Sequence, residues 1–177
     1  MQLRMVIGEI RPEFRAVWRE AFRDIEDVDV LEIDVPSLMR LPKADAMLMM
    51  GMFAHERYGG KPRPWESQVL SSQGEANMPP WIVTAPAIAA QLGQKRLPSD
   101  TDLIPDAILS HEEEDYMTFS KIFDRIDAFN SNSETPRIRI LAFSQEFINM
   151  PRDDVLSEAM AVRRAYLEHY GKETNKR

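Results

Sequence analysis

Apolar residues along the chain form two kinds of pattern, one with the length of a buried strand and one with the period of a helix. Five segments are of strand length, and the second of them alternates apolar with acidic residues: 3–7, 28–35, 46–53, 81–84 and 138–143. The helical period of three or four residues runs through 12–22, 113–129 and 151–170. Strands that alternate with helices predict a three-layer α/β/α sandwich with a mostly parallel, mixed central sheet.

Two parts of this pattern admit a second interpretation. The run at 46–53 is rich in methionine, so a helix competes with the strand there. The stretch HEEED at 111–115 suits either a divalent metal ion or the positive end of a helix dipole, and we favour the helix because one is predicted to begin there. His169 suits the negative end of the last helix in the same way. Residues 89–109 are too rich in polar residues and proline to assign.

Composition limits the function classes. The chain has 177 residues, enough for one domain, predicted at 1–171 with a disordered tail at 172–177. Its net charge of -7 argues against nucleic acid and anionic membranes as partners. The absence of cysteine excludes disulfides and thiolate metal sites, and no apolar stretch approaches the roughly 20 residues of a membrane span. We expect a soluble, cytoplasmic protein without a metal ion or cofactor.

The order of the elements and one central stretch resemble the macro domain, the ADP-ribose-binding fold. The resemblance is carried by the strand that leads to Asp34, by ADAMLMMGMFAHERYGG at 44–60 and by ILAF at 140–143. The stretch at 44–60 aligns without a gap with the ADAIVSPANSFGFMDGG-like run of phage- and bacterium-borne macro-like proteins. The resemblance implies a ligand cleft between the loops at 51–63 and 144–151, at the carboxyl ends of central strands.

The resemblance also implies which residues would meet a ligand. Asp34 stands where the family accepts a hydrogen bond from the adenine amino group, although it equally suits the start of a turn before Pro36. Gly59 and Gly60 match glycines that let backbone N–H groups approach a diphosphate, although any tight turn uses such a pair. The candidate ligand-binding residues are Asp34, Gly51, Met52, Phe53, His55, Arg57, Gly59, Gly60, Ser144 and Phe147.

Three departures from the family pattern argue against standard ADP-ribosyl hydrolysis. Met52 occupies the place of the asparagine that meets the distal ribose in active relatives, and a thioether is at most a weak acceptor. Pro62 falls near the place of an aspartate that often follows the glycines. The second loop, SQEFINMP at 144–151, has no glycine and places Glu146 where a diphosphate would meet negative charge.

Charged and aromatic residues of the first loop offer replacement chemistry. His55 and Arg57 can make charge-assisted contacts to a phosphate or carboxylate, and Lys61 and Arg63 extend the positive charge. The alternative is an ordinary solvated loop. Likewise, Tyr58 and Trp65 could stack on a base or simply cover the core.

Three functions remain open on these residues. The first is a noncatalytic macro-like module that binds ADP-ribose or a related anionic nucleotide. The second is a protein-interaction module on a degenerate macro fold, favoured by Met52 and by the glycine-free second loop. The third is an ADP-ribosyl hydrolase in which His55 or Glu146 transfers the proton. No GxSxG, HExxH, Walker or GxGxxG motif is present, and we expect the protein not to be an enzyme.

Overall fold

The computed structural model describes residues 2–41, 43–63, 66–86, 110–132, 134, 136–148 and 154–171, with only the backbone of 147 and 148. The strands are β1 (Arg4–Gly8), β2 (Val28–Leu31), β3 (Ala46–Met50), β4 (Val69–Ser71), β5 (Trp81–Ala85) and β6 (Ile140–Phe143). The helices are α1 (Pro12–Ala21), α2 (Val35–Met39), α3 (Gly51–Tyr58), α4 (His111–Asn130), α5 (Gln145–Ile148) and α6 (Val155–Tyr170). Trp65, the unassigned stretch at 89–109 and the expected tail at 172–177 lie outside the described residues.

The six strands form one sheet in the order β2-β1-β6-β3-β5-β4. Strand β1 pairs in parallel with β2 and β6, and β3 pairs in parallel with β6 and β5. Of the described strands, only the three-residue edge strand β4 runs antiparallel to its neighbour. The prediction of a mostly parallel mixed sheet is confirmed.

Helices cover both faces of the sheet, each face over its own apolar core. On one face, α1, α4 and α6 enclose a core whose largest buried side chains are Trp18, Phe119, Phe123, Phe143 and Tyr166. On the other face, a smaller core receives Leu38 from α2 and Ala54 and Tyr58 from α3. These layers form the predicted α/β/α sandwich.

Two helix starts follow the sequence signals. Helix α1 begins with Pro12 at its first position. Helix α4 begins with a capping box, in which Ser110 accepts from the Glu113 backbone N–H and Glu113 accepts from the Ser110 N–H. The capping interpretation of HEEED is therefore confirmed, and the described part of the chain contains no group of three or more His, Asp or Glu residues suited to a metal ion.

The boundary between β3 and α3 differs from the expectation. The apolar run at 46–53 is a strand only to Met50, and α3 occupies 51–58, which we expected to be a loop. The strand ends where its pairing with β5 ends, at Met50 and Ala85. The helix follows because Ala54 and Tyr58, four residues apart, then both face the smaller core on that side of the sheet.

The expected strand at 28–35 is also shorter. It stops at Leu31, because Asp34 caps α2 and Pro36 stands in the first turn of that helix. Strand β4 and helices α2 and α5 had no predicted counterpart; all three have five residues or fewer, too short to show a clear period.

Candidate functional site

The parallel strands deliver their following residues to one edge of the sheet, which we call the carboxyl edge. It comprises 9–11 after β1, 32–34 after β2, 51–53 after β3, Pro86 after β5 and 144–146 after β6. Asp34 follows the outer strand β2, and α3 begins after β3, three strands further in. At about 4.8 Å per strand this separation is roughly 14 Å. Asp34 and the start of α3 are therefore well separated along this edge.

Helix α3 starts at the centre of the carboxyl edge. Its N-cap residue is Met50, whose side chain makes no capping hydrogen bond to the first turn. Gly51 is buried at this point, whereas Met50, Met52 and Phe53 are each more than a third exposed. An uncapped helix start and exposed apolar side chains thus occur together.

Asp34 has a structural partner and remains exposed. Its Oδ1 accepts from the backbone N–H of Ser37 at 2.9 Å, which makes Asp34 the N-cap of α2. Hydrogen bonds from the side chain and backbone of Ser37 hold the pKa of Asp34 below its usual range. Asp34 therefore starts the turn into α2, as one of the two interpretations predicted. Its carboxylate is also exposed, and its contact with adenine stays a prediction.

The second loop begins with two buried polar residues. Ser144 and Gln145, directly after β6, are 4% and 1% exposed, and Glu146 is exposed. Within the part of the chain that the structure describes, neither side-chain amide atom of Gln145 has a hydrogen-bond partner. Each unsatisfied buried polar atom costs about 1–3 kcal/mol, so the arrangement needs a functional or solvent explanation. Phe147 belongs to α5, but its side chain lies outside the described residues.

Gln145 was not among the candidates, because no motif marks it. The one available signal was its place, a polar residue two positions beyond the buried strand ILAF and at the carboxyl end of a central strand. Its burial depends on how α5 packs, and a four-residue helix carries no readable period.

A buried ion pair, also without a sequence signal, lies beside this loop. Glu9 is 3% exposed and accepts from the Arg11 backbone N–H at 2.9 Å, from Nε at 2.8 Å and from a terminal guanidinium nitrogen at 2.8 Å. The pKa of Arg11 is raised, chiefly by the hydrogen bonds to Glu9 and to a lesser extent by the Glu146 carboxylate. Arg15 binds Glu32 at 3.0 Å. Acidic and basic groups are therefore paired on the β1 and β2 side of the carboxyl edge.

Two of the positive residues of the first loop, Arg57 and Arg63, are paired within the chain. Arg57 forms a two-point ion pair with Glu75, and the Tyr58 hydroxyl donates to the same carboxylate at 2.8 Å. Arg57 and Tyr58 hold the pKa of Glu75 below its usual range, while burial and Glu75 raise the pKa of Tyr58 to about 12. Arg63 lies 3.4 Å from Glu66. These contacts fasten the 72–78 turn to α3 and reduce the positive charge available to an anion.

The two glycines lie at the far end of α3 from the carboxyl edge. Eight helical residues span about 12 Å. A Cβ on Gly60 would lie 3.0 Å from a methyl of Leu70, which pairs with Ile82 near the amino end of β5. His55 closes this turn, with Nδ1 2.9 Å from the Gly59 carbonyl oxygen. The structure therefore separates Gly59, Gly60, His55 and Arg57 from Asp34 and Ser144.

The glycine turn yields a stability prediction. Gly60 has φ +78°, and a Cβ there would lie 2.9 Å from His55 Nδ1, so Gly60→Ala combines backbone strain with a clash. We expect a loss of about 2 kcal/mol in the free energy of unfolding, measured by urea denaturation. Gly74→Ala is the matched control, because Gly74 has φ +73° with nothing within 4 Å of the added Cβ. Equal losses in the two variants would contradict the crowding at Gly60.

Comparison with known proteins gives no independent assignment. Within the described residues, no helix has the length and apolar character required to cross a bilayer. The chain matches neither a protein-family model nor a curated protein.

Proposed function

We propose that the protein is a noncatalytic macro-domain-like module that binds ADP-ribose or a related anionic nucleotide at the carboxyl edge. One observation carries the proposal. On the adjacent central strands β3 and β6, the chain passes directly into an uncapped helix start and into a buried, unpartnered amide. A buried polar side chain without a partner among the described residues, next to a helix start at the carboxyl end of a central parallel strand, is typical of a ligand site.

The charges at the edge limit where a phosphate would bind. The start of α3 offers backbone N–H groups and the positive end of the helix. The second loop instead carries the exposed carboxylate of Glu146. A phosphate is therefore expected at α3, with the adenine toward Asp34 and Met52 and Phe53 as apolar walls.

The proposed module has no hydrolytic role. His55 is four residues, about 6 Å, beyond the start of α3, and its Nδ1 is hydrogen-bonded to the Gly59 carbonyl oxygen past the far end of the helix. The groups proposed to contact the ligand are the backbone of α3, the Asp34 carboxylate and apolar side chains, which hold a ligand without supplying a proton-transfer group at the phosphate.

A second candidate function, a protein-interaction module, is favoured by one specific observation. Met50, Met52 and Phe53 are 41%, 49% and 39% exposed and adjacent in sequence at the start of α3. Neighbouring exposed apolar side chains are characteristic of interaction surfaces. The same residues serve the first proposal as walls of the nucleotide site, so titration with a nucleotide separates the two.

Isothermal titration of the protein with ADP-ribose tests the proposed function. We expect saturable binding that Asp34→Ser weakens about tenfold or more, because a hydrogen bond to a charged group contributes about 1.5–3 kcal/mol. Serine preserves the N-cap of α2, so the variant removes the carboxylate without removing the cap. Asp29→Ser, at the exposed Asp29 of β2, is the control for loss of one negative charge. The absence of both heat and thermal stabilisation at millimolar ADP-ribose would overturn the proposal and favour the interaction module.

A further inference from the structure

Gln145 combines deep burial with a side-chain amide that has no hydrogen-bond partner among the described residues. The residue is 1% exposed, and both Nε2 and Oε1 are buried without a partner. Two indole nitrogens and one hydroxyl share this property, at Trp18, Trp81 and Ser120. Each of those has one side-chain polar atom and belongs to the body of a helix or the amino end of a strand, whereas Gln145 has both a donor and an acceptor and lies two residues beyond the carboxyl end of β6.

The position of Gln145 is set by the sheet. Strands β3 and β6 pair Ala46 with Leu141 and Met47 with Ala142, an offset of 95 residues. Extended along the strands, this offset places Gln145 level with Met50, the N-cap residue of α3. Gln145 and Met50 are therefore equally far, three residues, beyond the last described pair of these adjacent strands, Met47 with Ala142.

No hydrogen bond to another described residue holds the Gln145 amide in its buried position. Turning the side chain toward the carboxyl edge breaks no hydrogen bond, and a polar ligand group there would satisfy both amide atoms. Packing alone opposes this movement. A buried polar group with these properties can reach a ligand at a lower cost than one that is already hydrogen-bonded.

The chemistry of the amide selects its ligand group. A carboxamide satisfies both of its polar atoms against a neutral group that offers one acceptor and one donor, such as two sugar hydroxyls or the edge of a nucleobase. A phosphate would satisfy the amide N–H but would face the carbonyl oxygen and the neighbouring Glu146 carboxylate with negative charge. The second loop therefore suits a neutral part of a nucleotide.

We propose that Gln145 is a ligand-contacting residue that recognises a sugar hydroxyl pair or a nucleobase edge of the nucleotide. The inference rests on the proposed function, because it names the residue that reads the neutral part of that ligand. It assigns the two strand ends different tasks, with the phosphate at the start of α3 and the neutral group at Gln145.

The test compares wild type with Gln145→Met, a side chain of similar length and volume without hydrogen-bonding groups. We expect Gln145→Met to bind ADP-ribose at least tenfold more weakly while its melting temperature stays the same or rises, because an unsatisfied buried amide is removed. Titration with ADP, which lacks the distal ribose, distinguishes contact with the distal ribose hydroxyls from contact with the adenosine half. A loss confined to ADP-ribose assigns the ribose hydroxyls, and an equal loss with ADP assigns the adenosine half.

The side-chain amide also has its own spectroscopic readout. In a two-dimensional ¹⁵N spectrum, the Gln145 NH₂ pair is identified by its absence from the Gln145→Met protein. We expect this pair to shift on addition of ADP-ribose. Gln145→Leu serves as the second apolar variant if the methionine variant does not fold.

The outcomes that overturn the inference are distinct from failure of the proposed function. If Asp34→Ser weakens ADP-ribose binding but Gln145→Met does not, Gln145 is not a contact residue and the proposed function stands. A fall in the melting temperature of Gln145→Met with unchanged affinity would show that the amide is hydrogen-bonded to internal water. If wild type binds neither ADP-ribose nor ADP, the proposed function and the inference both fail.

Discussion

Replacing Phe143 with alanine is expected to lower the free energy of unfolding by about 3–5 kcal/mol, the cost of emptying a large aromatic site in a core. Phe143 is fully buried at the end of β6. Its ring packs against Trp18 of α1 at 5.9 Å and against Phe119 of α4 at 5.4 Å between ring centroids. One side chain therefore joins the sheet to two of the three helices on that face.

The same substitution tests how the second loop is positioned. Phe143 directly precedes Ser144 and Gln145, so a cavity at its site loosens the start of α5 as well as the core. Urea denaturation followed by tryptophan fluorescence measures the stability loss. Leu156→Ala is the control, because Leu156 is 56% exposed on α6 and its removal should change stability by no more than about 0.5 kcal/mol. Equal losses of stability in Phe143→Ala and Leu156→Ala would contradict the expected packing role of the Phe143 ring.

The layers of the fold follow from local patterns. The helical stripes at 12–22 and 113–129 each reflect one buried face, and the apolar strands at 3–7 and 81–84 are buried on both faces of the sheet. Periodicity reports such faces directly, so the α/β architecture could be predicted. The run at 46–53 could not be divided, because Met47 to Met50 in the strand and Met52 and Phe53 in the helix are all apolar, and only tertiary packing of Ala54 and Tyr58 decides where the helix starts.

The site was predictable only in its location. Carboxyl ends of parallel strands meet by topology, so the places of Asp34, Gly51 and Ser144 at one edge followed from the strand order. The glycine pair was assigned to the same place because the intervening residues were taken as a loop. Once α3 forms, Gly59 and Gly60 lie about 12 Å from its start. The helix α3 in place of the expected loop thus changed the positions of four candidate residues: His55, Arg57, Gly59 and Gly60.

The second property that local sequence patterns do not predict is which residue a charged or polar side chain binds. Arg57 was a candidate contact for an anionic ligand, with a solvated loop as the alternative, and it binds Glu75, 18 residues later, across a turn whose path no local pattern predicts. Gln145 illustrates the converse, because its lack of a partner is a property of everything packed around it. Burial and pairing depend on residues that are distant in the sequence. The hydrogen bonds and ion pairs at the carboxyl edge could therefore be identified only in the structure.

The Glu9–Arg11 pair carries the second large prediction. Glu9 is almost fully buried, while the Arg11 side chain is 27% exposed and lies over the Phe14 ring at 4.1 Å. Breaking a buried pair costs about 3–5 kcal/mol because the remaining charge stays desolvated. Partial exposure of Arg11 reduces this cost, so we expect Arg11→Met to destabilise the protein by about 3 kcal/mol, since it leaves the Glu9 carboxylate buried without its counter-ion.

A double-mutant cycle isolates the interaction from the loss of packing. Glu9→Gln and Arg11→Met are combined, and the coupling is the double-variant loss minus the two single losses, measured by urea denaturation. The exposed Arg4–Asp29 pair is the matched control, because it also joins Arg to Asp or Glu near one strand, with side chains 53% and 38% exposed. Asp29→Asn should cost no more than about 1 kcal/mol. Coupling at Glu9–Arg11 no larger than this value would show that water screens the pair, and that the β1 side of the carboxyl edge is open to solvent rather than closed by an ion pair.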